Sequence, residues 1–147
     1  MIIEVHPVLL TTCLCQRRYR NHRHGCPNYG IKPGCPPREI WNHDPAYAII
    51  TEFDLGAHVE RMRALYPEWS KYQLVCCLYW QGTARKVLKE EIVRFLRLYS
   101  GYVVDPTPEA AGVNVTATLK AVGIELEWPP EKIVRQVALA YQRRKED

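Results

Sequence analysis

Four cysteines, two histidines and four arginines fall between Cys13 and Pro37, in the stretch CLCQRRYRNHRHGCPNYGIKPGCPP. Cys13, Cys15, Cys26 and Cys35 are spaced C-x-C-x10-C-x8-C, close enough along the chain for four sulfurs to converge on one ion or cluster. Four thiolates in roughly tetrahedral array suit zinc, and they equally suit an iron-sulfur cluster. The spacing matches neither the paired C-x2-C knuckles of zinc ribbons nor the bacterial ferredoxin run, so it does not choose between them. Cys26 and Cys35 are each followed by proline, which removes a backbone donor beside the sulfur and fixes the turn. The neighbouring arginines favour thiolate over thiol.

His22 and His24 can each stand in for one sulfur, although simple solvation is the ordinary state of a histidine in a basic, exposed stretch. The competing reading of the whole segment is a surface loop with free or disulfide-linked cysteines. Cys76 and Cys77 are adjacent and cannot both face one way on a strand, which makes one or both of them core residues before ligands.

The same segment carries a second chemistry. Residues 1 to 40 hold Arg17, Arg18, Arg20, Arg23, Lys32 and Arg38 against only Glu4 and Glu39, so the formal excess of +4 lies around the cysteines. That excess offsets the negative charge of a multi-thiolate centre, or attracts an anionic partner. In the run RRYRNHRHG, Arg17, Arg18, Arg20 and Arg23 could contact the phosphates of a nucleic acid while Tyr19 or Tyr29 stacks on bases. A charge run is more often a solvated face. No nucleophile with its base, phosphate-binding glycine loop or HExxH helix is present. Glu90 and Glu91 read as solvated helix residues, and Asp105 and Glu109 are noted only because prolines make their segment irregular.

The elements that must position these groups follow from the apolar pattern. Of 147 residues, 47% are apolar and 24% charged, as in soluble globular proteins, and the length suits one domain with the cysteine loop 13–37 inserted after its first strand. The start, MIIEVHPVLLTT, lacks the basic leader and cleavage site of a signal peptide, and no run could span a membrane, so a cytoplasmic location with reduced thiols is expected. Strands are expected at Ile2 to Leu10, Tyr47 to Phe53, Tyr72 to Trp80 and Ile124 to Trp128. Asp54 should cap a helix to Tyr66, with Leu55, Val59, Met62 and Leu65 on one face.

A second helix should begin at Thr83, its stripe formed by Leu88, Ile92, Phe95, Leu96 and Tyr99 and its stop by Gly101, with Glu90 pairing to Arg94. Val113 to Ala121 reads as a short helix ending at Gly123. Pro130 to Arg144 is read as helix, although Ile133, Val137, Leu139 and Tyr141 also share one strand face. Together these give an α/β or α+β fold, a small sheet with packed helices.

The stretch CPNYGIKPGCPP, Cys26 to Pro37, resembles the motif of a family of uncharacterised prokaryotic proteins described as predicted metal-binding, with a cysteine, then YG, then a few residues and CPP. PEAAGVNVTATLKAVG, Pro108 to Gly123, is similar to that family's C-terminal signature, where a Pro-x-x-Glu-Ala segment precedes a Gly-x-x-Val strand and a short helix. The resemblance implies metal binding through Cys26 and Cys35, matches Cys15 loosely and leaves Cys13 without an assured counterpart. The further cysteine cluster common in such proteins has no equivalent at Tyr99 to Asp105, so the resemblance implies one centre. A redox or structural role with a redox or protein partner is the leading expectation, and a nucleic-acid-binding module with a metal-shaped loop is the alternative.

Overall fold

The computed structural model describes residues 1–10, 23–25, 27, 30, 31, 35 and 38–143. Four antiparallel strands form one sheet, in the order β1 (Ile2–Val5), β2 (Ala46–Asp54), β4 (Ile133–Gln142), β3 (Tyr102–Asp105). The helices are α1 (Leu55–Leu65), α2 (Lys71–Leu74), α3 (Gln81–Leu98) and α4 (Val115–Lys120). An antiparallel sheet with helices added is an α+β fold, which settles the choice left by the sequence.

Both faces of the sheet are covered, so its central strands are apolar on both sides rather than alternating with polar residues. On one face α3 lays Leu88 and Phe95 against Ile49, Ala138 and Ala140, while Leu55, Trp80 and Ala84 continue that layer over Phe53 and Val134. On the other face Ala46, Ala48, Ile50, Val137 and Leu139 pack on Trp41, Ala111, Val113, Val115 and Leu119. That second layer is mostly irregular chain. Among the described residues its one α-helix, α4, is six residues long, follows a 3-10 turn at Pro108–Ala111, and is capped by Asn114, whose Oδ1 accepts from the Ala117 amide at 3.0 Å.

The helix starts and stops hold where a cap or glycine marked them. Asp54 Oδ1 accepts from the Ala57 amide at 2.9 Å, and α3 runs to Leu98 with Gly101 at a positive φ that side chains disfavour. Other expectations change. Tyr72 to Trp80 is not a strand: Ser70 and Gln73 form a reciprocal capping box that starts α2, a 3-10 turn follows at Cys77–Tyr79, and Leu78 is 85% exposed.

Ile124 to Trp128 has no regular structure, and β3 arises instead at Tyr102–Asp105, a stretch read as irregular. Residues 133–142 are strand rather than helix because they fill the sheet centre, where the residues of both periods find a buried face. Ile2 is exposed because β1 is an edge strand, not a buried one. Leu65 and Leu96 are exposed rather than buried, and Tyr99, just past the end of α3, is half exposed with its ring against Phe95. Arg94 pairs with Glu91 at 2.6 Å instead of Glu90.

Candidate functional site

The cysteine-rich segment enters and leaves the fold at one place. On the entry side, Leu10 N–H donates to the Gly112 carbonyl at 2.6 Å, Leu9 bridges Val113, and Val8 exchanges bonds with α4's first turn: its amide donates to Thr118 Oγ1 at 2.9 Å and its carbonyl accepts from Asn114 at 2.6 Å. On the exit side, Trp41 N–H donates to the Ala111 carbonyl at 2.8 Å. Two consecutive carbonyls therefore hold the two ends of a long insertion. Gly112 takes the left-handed φ of +86° that a side chain disfavours, and Ile40 lies against it.

Polar and aromatic contacts fix the exit further. Asp105, 8% exposed at the end of β3, accepts a close ion-paired bond from Arg38 Nη2 and a 2.9 Å bond from the Thr107 amide, and Arg38 Nη1 also donates to Thr107 Oγ1 at 3.2 Å. A charge-assisted, largely buried pair of this kind is strong where both groups keep their partners. Trp41 Nε1–H donates to the His43 carbonyl, and the His43 ring stacks on Tyr141 of β4 at 3.5 Å. The chain from Arg38 to His43 is thus tied to β3, β4 and the Thr107–Val113 turn.

Of the expected ligands, Cys13, Cys15 and Cys26 lie outside the described residues, as do His22, Arg17, Arg18, Arg20, Tyr19 and Tyr29. Cys35 is a free, half-buried thiol three residues before Arg38, and Arg23 and His24 are exposed beside the buried Gly25. Cys76 and Cys77 are free thiols as well, half-buried and exposed, on the turn that leads into α3. They stand with the α3 layer, across the sheet from the turn that anchors the cysteine segment. Among the described residues, no three His, Cys, Asp or Glu side chains cluster to hold a metal, and no helix is long and apolar enough to cross a membrane.

A cleft of about 780 Å³ opens where β3 stops. Pro106 has no amide to donate and the Thr107 amide turns back to Asp105 Oδ1, so pairing with β4 ends at Asp105–Leu139 and the chain leaves for the other layer. Leu88, Ile92 and Val104 line the cleft from one side, and Val115, Leu126 and Trp128 from the other. Glu109 stands at its mouth. Crowding by the cleft walls raises its carboxyl above the usual range; a backbone hydrogen bond within its own residue opposes this, and Asp105 adds to it. Its side chain still reaches water, which softens the burial contribution.

No family model, curated protein or solved structure matches the chain.

The arrangement thus has two parts with different chemistry. One is an anchored thiol-rich insertion, the other an apolar cleft at an open strand edge. The cleft was missed at the sequence level, although Asp105-Pro106-Thr107 carries its signal: a proline directly after a strand, preceded by an aspartate whose side chain can accept from the backbone amide two residues on.

Proposed function

We propose that this chain holds one thiolate-ligated metal centre, an iron-sulfur cluster or zinc, through Cys13, Cys15, Cys26 and Cys35, in a redox or structural role. The observation that carries the reading is the shared anchorage of the segment's two ends, Leu10 on Gly112 and Trp41 on Ala111. A long insertion without its own apolar period needs internal ligation to be ordered, and clamped ends lower the entropy that ligation must overcome. The donor set fits: four thiols lie between those ends, and the described one, Cys35, is not consumed by a disulfide.

The two family-like patches support the same reading, since the exit of the first and the start of the second meet at Arg38–Thr107 and Trp41–Ala111. Thiolate ligation also agrees with a reducing, cytoplasmic setting. Bound there, a cluster would supply one-electron transfer and zinc would supply structure alone. The chain's own contribution is to clamp the ends of the ligand-bearing segment.

Anaerobic purification, metal and acid-labile sulfide analysis and a visible spectrum test this directly. Iron with sulfide and a brown colour that bleaches on reduction identifies a cluster, and stoichiometric zinc without colour identifies the alternative metal. Protein free of iron, zinc and sulfide defeats the reading. Cys26→Ser and Cys35→Ser should each remove most of the metal while Cys76→Ser retains it; equal loss from all three would bring Cys76 into the site.

A further inference from the structure

The cleft beside β4 offers an unpaired strand edge. Arg143 N–H donates to the Gly101 carbonyl, so the odd-numbered residues of β4 direct their amides and carbonyls toward β3. β3 ends opposite Leu139, which leaves Ile133, Arg135 and Val137 facing the cleft with no backbone hydrogen bond on that side among the described residues. An exposed edge of this kind is a template for another strand. Here it lies at the bottom of a groove rather than on an open surface, walled by Leu88 and Ile92 on one side and by Val115 and Leu126 on the other.

The charge around the groove is uneven. Arg85 and Lys89, one turn apart on α3, are exposed on its bank and make no ion pair among the described residues. Of the two carboxylates that line the groove, Glu109 stands at the mouth and Glu127 is occupied by the amides of Glu131 and Lys132, while Arg135 is engaged with Glu52 at 3.2 Å and with the Glu125 carbonyl at 3.1 Å. Glu109 is thus set against two cations unpaired among the described residues, Arg85 and Lys89, and it is the α3 bank that favours acidic side chains. We propose that this groove binds an extended peptide segment of a partner protein, with alternating apolar and acidic side chains, which adds to the sheet as a strand beside Ile133–Val137 in line with β3.

In this pose the peptide's backbone satisfies the amides and carbonyls of Ile133, Arg135 and Val137, its apolar side chains enter the walled groove, and its carboxylates meet Arg85 and Lys89. Strand addition of this type takes affinity from main-chain bonds and specificity from the alternate side chains. The open stretch of β4 spans six residues, about 20 Å at the usual strand rise, so a hexapeptide fills it. The inference does not depend on the metal reading, because the groove belongs wholly to described parts of the fold.

Fluorescence anisotropy of the full chain with a labelled Glu-Val-Glu-Leu-Glu-Val peptide tests it, with hydrogen exchange reporting the site. Saturable binding that weakens with salt, slowed exchange at Ile133, Arg135 and Val137, and a loss of about tenfold in affinity on combining Arg85→Glu with Lys89→Glu support the proposal. Both substituted residues are exposed, so the variant should keep its fold, which circular dichroism checks. Alternate N-methylation of the peptide backbone should abolish binding. Equal affinity for the N-methylated peptide, equal affinity for Lys-Val-Lys-Leu-Lys-Val, or the absence of binding at low salt would overturn it. So would a dimer, seen by sedimentation, that protects the same three amides without peptide, since the edge would then belong to a second copy of this chain.

Discussion

The two faces of the sheet are covered by different kinds of structure. One is covered by α3, an 18-residue helix whose interior amides and carbonyls bond within the helix and which touches the sheet through side chains such as Leu88 and Phe95. The other is covered by irregular chain and the short α4, fixed by bonds between segments far apart in sequence: Leu10 to Gly112, Trp41 to Ala111, Val8 to Thr118. A helix that satisfies its own backbone needs only an apolar stripe to dock. Irregular chain must find partners for every buried amide and carbonyl, so its position is specified by individual bonds. The second face is accordingly the one able to hold the ends of the cysteine segment.

On the proposed metal reading, cavity-forming substitutions on the two faces should separate stability from metal retention. Phe95→Ala and Leu119→Ala each remove a side chain at most 2% exposed and should each cost about 3–5 kcal/mol in urea unfolding. Under conditions where both variants remain folded, Phe95→Ala should keep its metal-to-protein ratio, whereas Leu119→Ala, beneath the anchoring turn, should lose metal on gel filtration. Equal retention in the two would show that the irregular layer has no special part in holding the centre.

A finer comparison uses the ion pairs. Asp105 is nearly buried and its partner Arg38 lies at the exit of the cysteine segment, whereas the Arg135–Glu52 pair joins β4 to β2 with the Glu52 side chain half exposed. Asp105→Asn keeps an acceptor for Thr107 but removes the charge facing Arg38, and should cost about 1–3 kcal/mol together with faster loss of metal to a chelator. Glu52→Gln should fall within about 1 kcal/mol of the parent and leave chelation unchanged. If both variants released metal at the parental rate, the Arg38–Asp105 contact would be structural only.

The same difference between faces explains how much could be read from the residues alone. α1 and α3 were legible because a cap or glycine marks their ends and because Leu88, Ile92 and Phe95 repeat at helical spacing. β4 was ambiguous because a strand buried on both faces carries apolar residues at both periods, and only its central position in the sheet decides. Tyr72 to Trp80 misled because its aromatics look like strand, while Ser70 and Gln73, which start a helix, sit at the edge of the run. The cysteines announced a site, but its anchorage on Ala111 and Gly112 depends on contacts about seventy to one hundred residues apart, which no local pattern records.

The smallest expected effect concerns a group in the helix-covered layer. His58 of α1 is 2% exposed, its Nε2 has no hydrogen-bond partner among the described residues, and its ring lies near Phe53. Burial lowers its pKa below the usual 6.5, and the positive charge of Arg61 lowers it further. The folded state therefore binds a proton less readily than the unfolded chain. The resulting stability is present above pH 6.5 and is lost as pH falls through that value toward the lowered one. Thermal melts at closely spaced pH values from 7.5 to about 5 should show this as a downward slope that His58→Leu reduces, without altering metal content at pH 7.5. A slope unchanged by the substitution would assign the acid sensitivity elsewhere. An equal fall in metal content would show that the two faces are coupled through the sheet rather than independent, because His58 touches the layer opposite the anchoring turn.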